Sequence, residues 1–161
     1  MPGFEEIWKI PGVSPRRGFR WRWWFWLVFM KNPENPLKPR QLMILWSFKD
    51  APTYIHDFLY HPMNTEGSSI YGVTAAWYFD GKKMHHNVVL DDGMINVVPN
   101  GTDGRIYMKS GENYYGFSGR DGEFTLKIKN EKIDAEFNMD IPHMTCLLYT
   151  SDAADEGLGV D

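Results

Sequence analysis

His85 and His86 are the side chains in this sequence best suited to proton transfer. An imidazole titrates near neutrality, and one held in an apolar cavity acts as a general acid or base. The two are neighbours on an expected strand, so they point to opposite faces and cannot chelate one metal as a pair. Parity over Lys82 to Leu90 groups His86 with Val88 and Leu90, and His85 with Asn87 and Val89, which turns one imidazole inward. The competing reading is a structural histidine hydrogen-bonded to a neighbour. His56 and His61 are weighed as a zinc-binding pair, but Pro62 and the surrounding composition argue for a loop. No metal site is expected. Asp80, Asp91 and Asp92 fall where hairpin turns are expected, and aspartate before glycine is ordinary turn chemistry; a catalytic carboxylate is the second reading. Asn100-Gly101-Thr102 matches a glycosylation sequon that a turn also explains. No phosphate loop, nucleophile elbow or dinucleotide fingerprint occurs, and no cofactor is expected.

The second chemical signature is aromatic. Four of the seven tryptophans lie between Trp21 and Trp26, in the run Arg20-Trp21-Arg22-Trp23-Trp24-Phe25-Trp26, which continues apolar to Met30. So much aromatic surface must line a core or bind something. Trp21, Trp23, Trp24, Phe25 and Trp26, with Trp46 and Trp77, are therefore the candidate lining of a site for a hydrophobic small molecule. Arg20 and Arg22 would hold a ligand's polar end or stack on indoles; alternatively they mark a solvent face at a strand's start.

Composition narrows the classes. Cys146 to Asp161 looks like the in-frame translation of a sequencing adapter with its index, so residues 146–161 are read as a non-native tail on an open-ended fragment. That tail carries four acids and no bases, so acids fall from 21 to 17 against 17 bases. A neutral chain argues against a nucleic-acid partner. Cys146 is the only cysteine, which leaves no disulfide framework and no thiol nucleophile. The longest apolar run, Trp23 to Met30, is eight residues, against about 20 for a membrane-spanning helix. Met1 to Arg17 lacks a signal-peptide core, so a cytoplasmic location is expected if Met1 is the true start.

The elements that must position these residues read as strands. Residues 1–18 are an irregular lead-in broken by prolines and glycines. A strand runs from about Phe19 to Met30; its odd positions, from Phe19 through Trp23 and Phe25 to Phe29, are all apolar and are expected to be buried throughout. Lys31 to Arg40 is a proline-rich loop, Gln41 to Phe48 a second strand, and Lys49 to Ser69 a long loop of the kind that serves as a lid. Tyr71 to Phe79, Lys82 to Leu90, Met94 to Val98, Arg105 to Lys109, Asn113 to Ser118, Glu123 to Lys129 and Ile133 to Asp140 are short strands. Asp80-Gly81, Asp92-Gly93, Asn100-Gly101, Asp103-Gly104 and Asp121-Gly122 are the turns. The pattern predicts an all-β, antiparallel barrel or sandwich over residues 19–145.

Trp23-Trp24-Phe25, Ala75-Ala76-Trp77-Tyr78-Phe79-Asp80-Gly81-Lys82 and Phe117-Ser118-Gly119-Arg120-Asp121-Gly122-Glu123-Phe124-Thr125-Leu126 together resemble the hydroxyneurosporene synthase (carotenoid hydratase)-like family, which includes the AttH-like proteins. The resemblance spans about Phe19 to Asp140. It implies a lipocalin-like fold of two β-barrels, of which this chain is the amino-terminal one. It also implies an isoprenoid or polyene ligand, and hydration or cyclisation without a cofactor. Acid/base residues in the hydratases come from the second barrel, so no catalytic residue is carried over; pocket lining by Trp23, Trp24 and Phe25 is. A non-catalytic lipid carrier and a scaffold or interaction β-domain with no ligand are the alternatives.

Overall fold

The computed structural model describes residues 7–9, 21–49, 53–55, 58–60, 69–120 and 122–140. The chain is all-β, and no helix occurs among the described residues. Strands β1 (Trp21–Met30), β2 (Arg40–Lys49), β5 (Ser69–Phe79), β6 (Met84–Asn100), β7 (Asp103–Ser110), β8 (Asn113–Arg120), β9 (Glu123–Lys129) and β10 (Asp134–Asp140) form one sheet in that order. All neighbours are antiparallel. The sheet curls into a half-barrel, with β1 and β10 as its two edges. Between β2 and β5, β3 (Thr53–Ile55) and β4 (Phe58–Tyr60) pair with each other, where the sequence suggests only a loop.

Antiparallel order sorts the connections. The β1–β2 loop and the β5–β6, β7–β8 and β9–β10 turns lie at one end of the half-barrel; the β6–β7 and β8–β9 turns lie at the other. Gly81, Gly101, Gly111 and Gly122 make four of these turns with positive φ, a conformation that costs glycine little.

Period two fills the concave face. Leu42, Ile44, Trp46 and Phe48 from β2 meet Ile70 and Ala76 from β5, and Ile95 and Val97 from β6. Ile106 and Met108 from β7, Tyr115 and Phe117 from β8, and Phe124, Leu126 and Ile128 from β9 complete the core. Each fully buried aliphatic side chain here stabilises the fold by about 1.5–3 kcal/mol.

Three expectations are corrected. The odd residues of β1 are not the buried ones: Trp23, Phe25, Leu27 and Phe29 face outward, and Trp24, Trp26, Val28 and Met30 pack on the core. Both faces of this strand are apolar, so alternation separates them without saying which is inside. The register decides, because Trp24 lies opposite Trp46 and Trp26 opposite Ile44. Asp92-Gly93 is not a turn; it lies within the seventeen-residue β6, with Asp92 paired to Val73 and Gly93 to Gly72. Asp103-Gly104 likewise opens β7.

Candidate functional site

The β1 edge supplies the most unusual surface of the inner face. Trp26 packs on Phe117 and Phe124, with ring centroids 5.4 and 5.1 Å away. The first strand is thereby brought over β8 and β9, and Phe124 is the register partner of Met139 on β10. No backbone ladder joins β1 to β10. The inner faces of both edges are therefore only partly covered: Trp24, Trp26, Val28 and Met30 on one side, Ile133, Phe137 and Met139 on the other. These residues make an apolar seam over an aromatic floor of Trp46, Phe117 and Phe124.

One end of the seam is closed by Trp8. Its indole Nε1 donates to Thr102 O at 2.9 Å, and its ring packs on Phe117 and Phe124. A Cβ on Gly104 or Gly119 would fall 2.4 or 2.9 Å from that ring, and these two glycines are cross-strand partners. They form a flat floor that only glycine leaves open. Trp24 Nε1 donates to Ile7 O at 3.0 Å, which ties β1 to the same segment.

The opposite end is polar. His85 is on the inner side there, stacked on Tyr78 and 2.7 Å from Asp80 through Nε2. The other oxygen of Asp80 accepts from the backbone N–H of Lys82 and of Lys83. These bonds, that to His85 foremost, hold the Asp80 carboxyl well below the usual carboxylate range. His86 is exposed on the outside, beside Asn87, whose φ of 54° marks a bulge in β6. Only one of the two histidines is therefore placed at the interior. Arg40, register partner of Met30, has its Nε shielded from solvent without a hydrogen bond. Asp91 is not a turn residue but a hub: it accepts from Ser110, Asn113 and Tyr115 at 3.0–3.1 Å. Asn130 donates to Val88 O and to the Tyr115 hydroxyl, and burial pushes the Tyr115 phenol up to about 12.

Of the residues singled out from sequence, Trp24, Trp26 and Trp46 come together at the seam. Trp23 and Phe25 lie on the outer face, where Trp77 is half-buried. Their lining role is not the geometry found; the reversed parity of β1 moves them away. The side chains of Trp21 and Arg22, and Arg20, His56 and His61, lie outside the described residues, as do residues 141–161. Sequence reasoning missed Trp8, Arg40 and the Asp91 hub. Trp8 sits in an irregular segment with no period to flag it, and the hub joins residues from β6, β7 and β8. Among the described residues, no group of three metal-ligating side chains converges, and no helix is long and apolar enough to cross a membrane.

No family model, curated protein or solved structure matches the chain.

Proposed function

We propose that the protein binds a hydrophobic small molecule, of the isoprenoid or polyene kind, along the seam between β1 and β10. The observation that carries this reading is the pair of half-covered apolar edges, with Trp24 and Trp26 on β1 and Ile133, Phe137 and Met139 at β10 each only partly buried, and Trp26 packed on the aromatic floor of Phe117 and Phe124. An apolar chain laid there would cover what the missing ladder leaves open, and would gain from each methylene removed from water. The polar end favours an amphipathic ligand, because the Arg40 Nε there is a shielded donor with no partner.

The test is titration with cis-parinaric acid, a fluorescent polyene. Saturable energy transfer from tryptophan to the probe is expected, weakened about tenfold by Trp26→Ala. A flat titration would sink the proposal and leave a scaffold β-domain.

One geometric feature favours a catalytic version. The His85–Asp80 pair stands at the polar end, where an inner imidazole would exchange protons with a polyene's terminal group. In that reading the indoles stabilise developing positive charge, and a second β-barrel supplies further acid/base groups. His85→Gln should abolish turnover and spare binding, whereas His86→Gln should do neither; equal effects would reject the assignment and leave a carrier.

A further inference from the structure

The outer face of the sheet carries a feature that the seam does not use. Seven of the eight large apolar side chains found exposed among the described residues lie on this outer face, namely Trp23, Phe25, Leu27, Phe29, Met43, Met84 and Leu90; the eighth, Leu37, is in the β1–β2 loop. The register lines most of them up in rows across four strands. Phe25 stands beside Leu45, Ala75 and Leu90; Leu27 beside Met43 and Trp77; Phe29 beside Gln41, Phe79 and Met84. Apart from the neutral Gln41, these rows contain no polar side chain. Exposed apolar patches of this extent on soluble proteins mark binding surfaces.

Two further observations say what kind of surface meets this one. Exposure is greatest toward the end bearing the β1–β2 loop: Phe29 is 61% exposed, and Leu37, in that loop, is 92% exposed. One corner of that end is basic. Lys31, Lys38 and Arg40 from the loop and the start of β2, with Lys82 and Lys83 from the β5–β6 turn, stand beside Glu34 and Asp80, whereas Glu112 and Glu131 belong to the β7–β8 and β9–β10 turns and Asp134 opens β10, on the other strands of that end. Both carboxylates are already engaged, Glu34 by Lys82 and Asp80 by His85. The loop and the turn form one body: Asn32 Nδ2 donates to Lys38 O at 2.8 Å, and a Cβ on Gly81 would strike Asn32. Protruding apolar side chains beside a cluster of lysines are complementary to one environment in particular, a bilayer whose headgroups are negative and whose interior is apolar. A second copy of the chain would meet the sheet rows but would bring its own lysines to any contact that buried Leu37 symmetrically.

We infer that the protein docks reversibly on anionic membranes through this end. Leu37, Phe29 and Met84 enter the acyl boundary, and Lys31, Lys38, Lys82 and Lys83 lie at the headgroups. Docked so, the polar end of the seam also faces the bilayer. The inference does not depend on the seam holding a ligand.

The experiment is cosedimentation of the full chain with vesicles of phosphatidylcholine, with and without phosphatidylserine. Binding is expected only with phosphatidylserine and should fall with salt. Lys31→Gln with Lys38→Gln should weaken it about 25-fold, from about fivefold per lysine. Leu37→Ser, at a site too exposed to disturb folding, should weaken it by about tenfold. No binding, equal binding to both vesicles, or binding indifferent to Leu37→Ser overturns the inference. So does a dimer in sedimentation velocity that Phe29→Ser dissociates, because the face is then covered by a second copy. The parinaric acid titration without vesicles reads the seam separately: the loop variants leave it unchanged, so either proposal can fail alone.

Discussion

At the scale of single residues, the polar end is held by two carboxylates doing different work. Asp80 fixes a turn and orients an imidazole. Because its folded pKa is lowered, the stability it contributes is complete above its ordinary value near 4 and is lost as pH falls toward the folded value. Asp80→Asn should therefore flatten the acid limb of a stability–pH curve, measured by urea unfolding at successive pH values. Tyr115 is displaced in the opposite sense, since folding favours its neutral phenol. Its contribution is complete below about pH 10 and disappears as pH rises through about 12. Burial also raises the neighbouring Tyr114 phenol, so ultraviolet titration should show more than one phenol ionising late, and Tyr115→Phe should remove one of those steps. The same substitution should cost about 1–2 kcal/mol by taking a donor from Asp91.

At the scale of elements, β1 is the strand whose sequence leaves its orientation open. Urea unfolding of alanine variants tests the assignment. Trp26→Ala should cost about 2–4 kcal/mol, somewhat below the range for a fully buried tryptophan. Phe25→Ala, one position away, should stay within about 0.5 kcal/mol of wild type. The opposite ranking would mean that β1 is turned over. The glycine floor under Trp8 gives a second test of packing. Gly104→Ala places a methyl group against the indole, and overpacking of this kind costs about 1–3 kcal/mol. Because β7 itself remains paired, the expected change is a red shift in tryptophan emission as Trp8 leaves its site, with little change in the β-sheet signal of circular dichroism.

At the scale of the whole molecule, an open curled sheet has to manage two edges and two faces. Edge strands usually carry charges, prolines or bulges against unwanted pairing. β10 follows that rule with alternating Asp134, Glu136 and Asn138 on its outer side. β1 does not: from Trp23 to Met30 it has no charge, proline or bulge. A strand written this way is left open on both faces, and the two proposals use one face each, the inner for a ligand at the seam and the outer for a lipid surface. If the seam holds a ligand, saturating parinaric acid should raise the stability of the whole sheet, by about 2.7 kcal/mol at a hundredfold excess over Kd. Thermal unfolding with and without probe measures it.

Strand content, most turn positions and the aromatic wealth of the chain were set by local rules. Phe124, Leu126 and Ile128 alternate with polar residues, and glycine follows aspartate or asparagine at three of the tight turns, those of Gly81, Gly101 and Gly122, so β9, β10 and most hairpins were legible from sequence alone; Gly111 follows a serine. Other features depend on residues far apart. Whether the odd or the even side of β1 is buried depends on its register with β2 and on the curl that brings Trp26 to Phe124, and two apolar faces give the chain no local reason to prefer one. Asp92-Gly93 reads as a turn because a dipeptide carries no record of its pairing partners, Val73 and Gly72. Which histidine faces inward, what the Asp91 hub joins and where the exposed apolar rows gather were all settled by cross-strand alignment. Local propensity chose the strands; the curl of the sheet chose which side of them faces a partner.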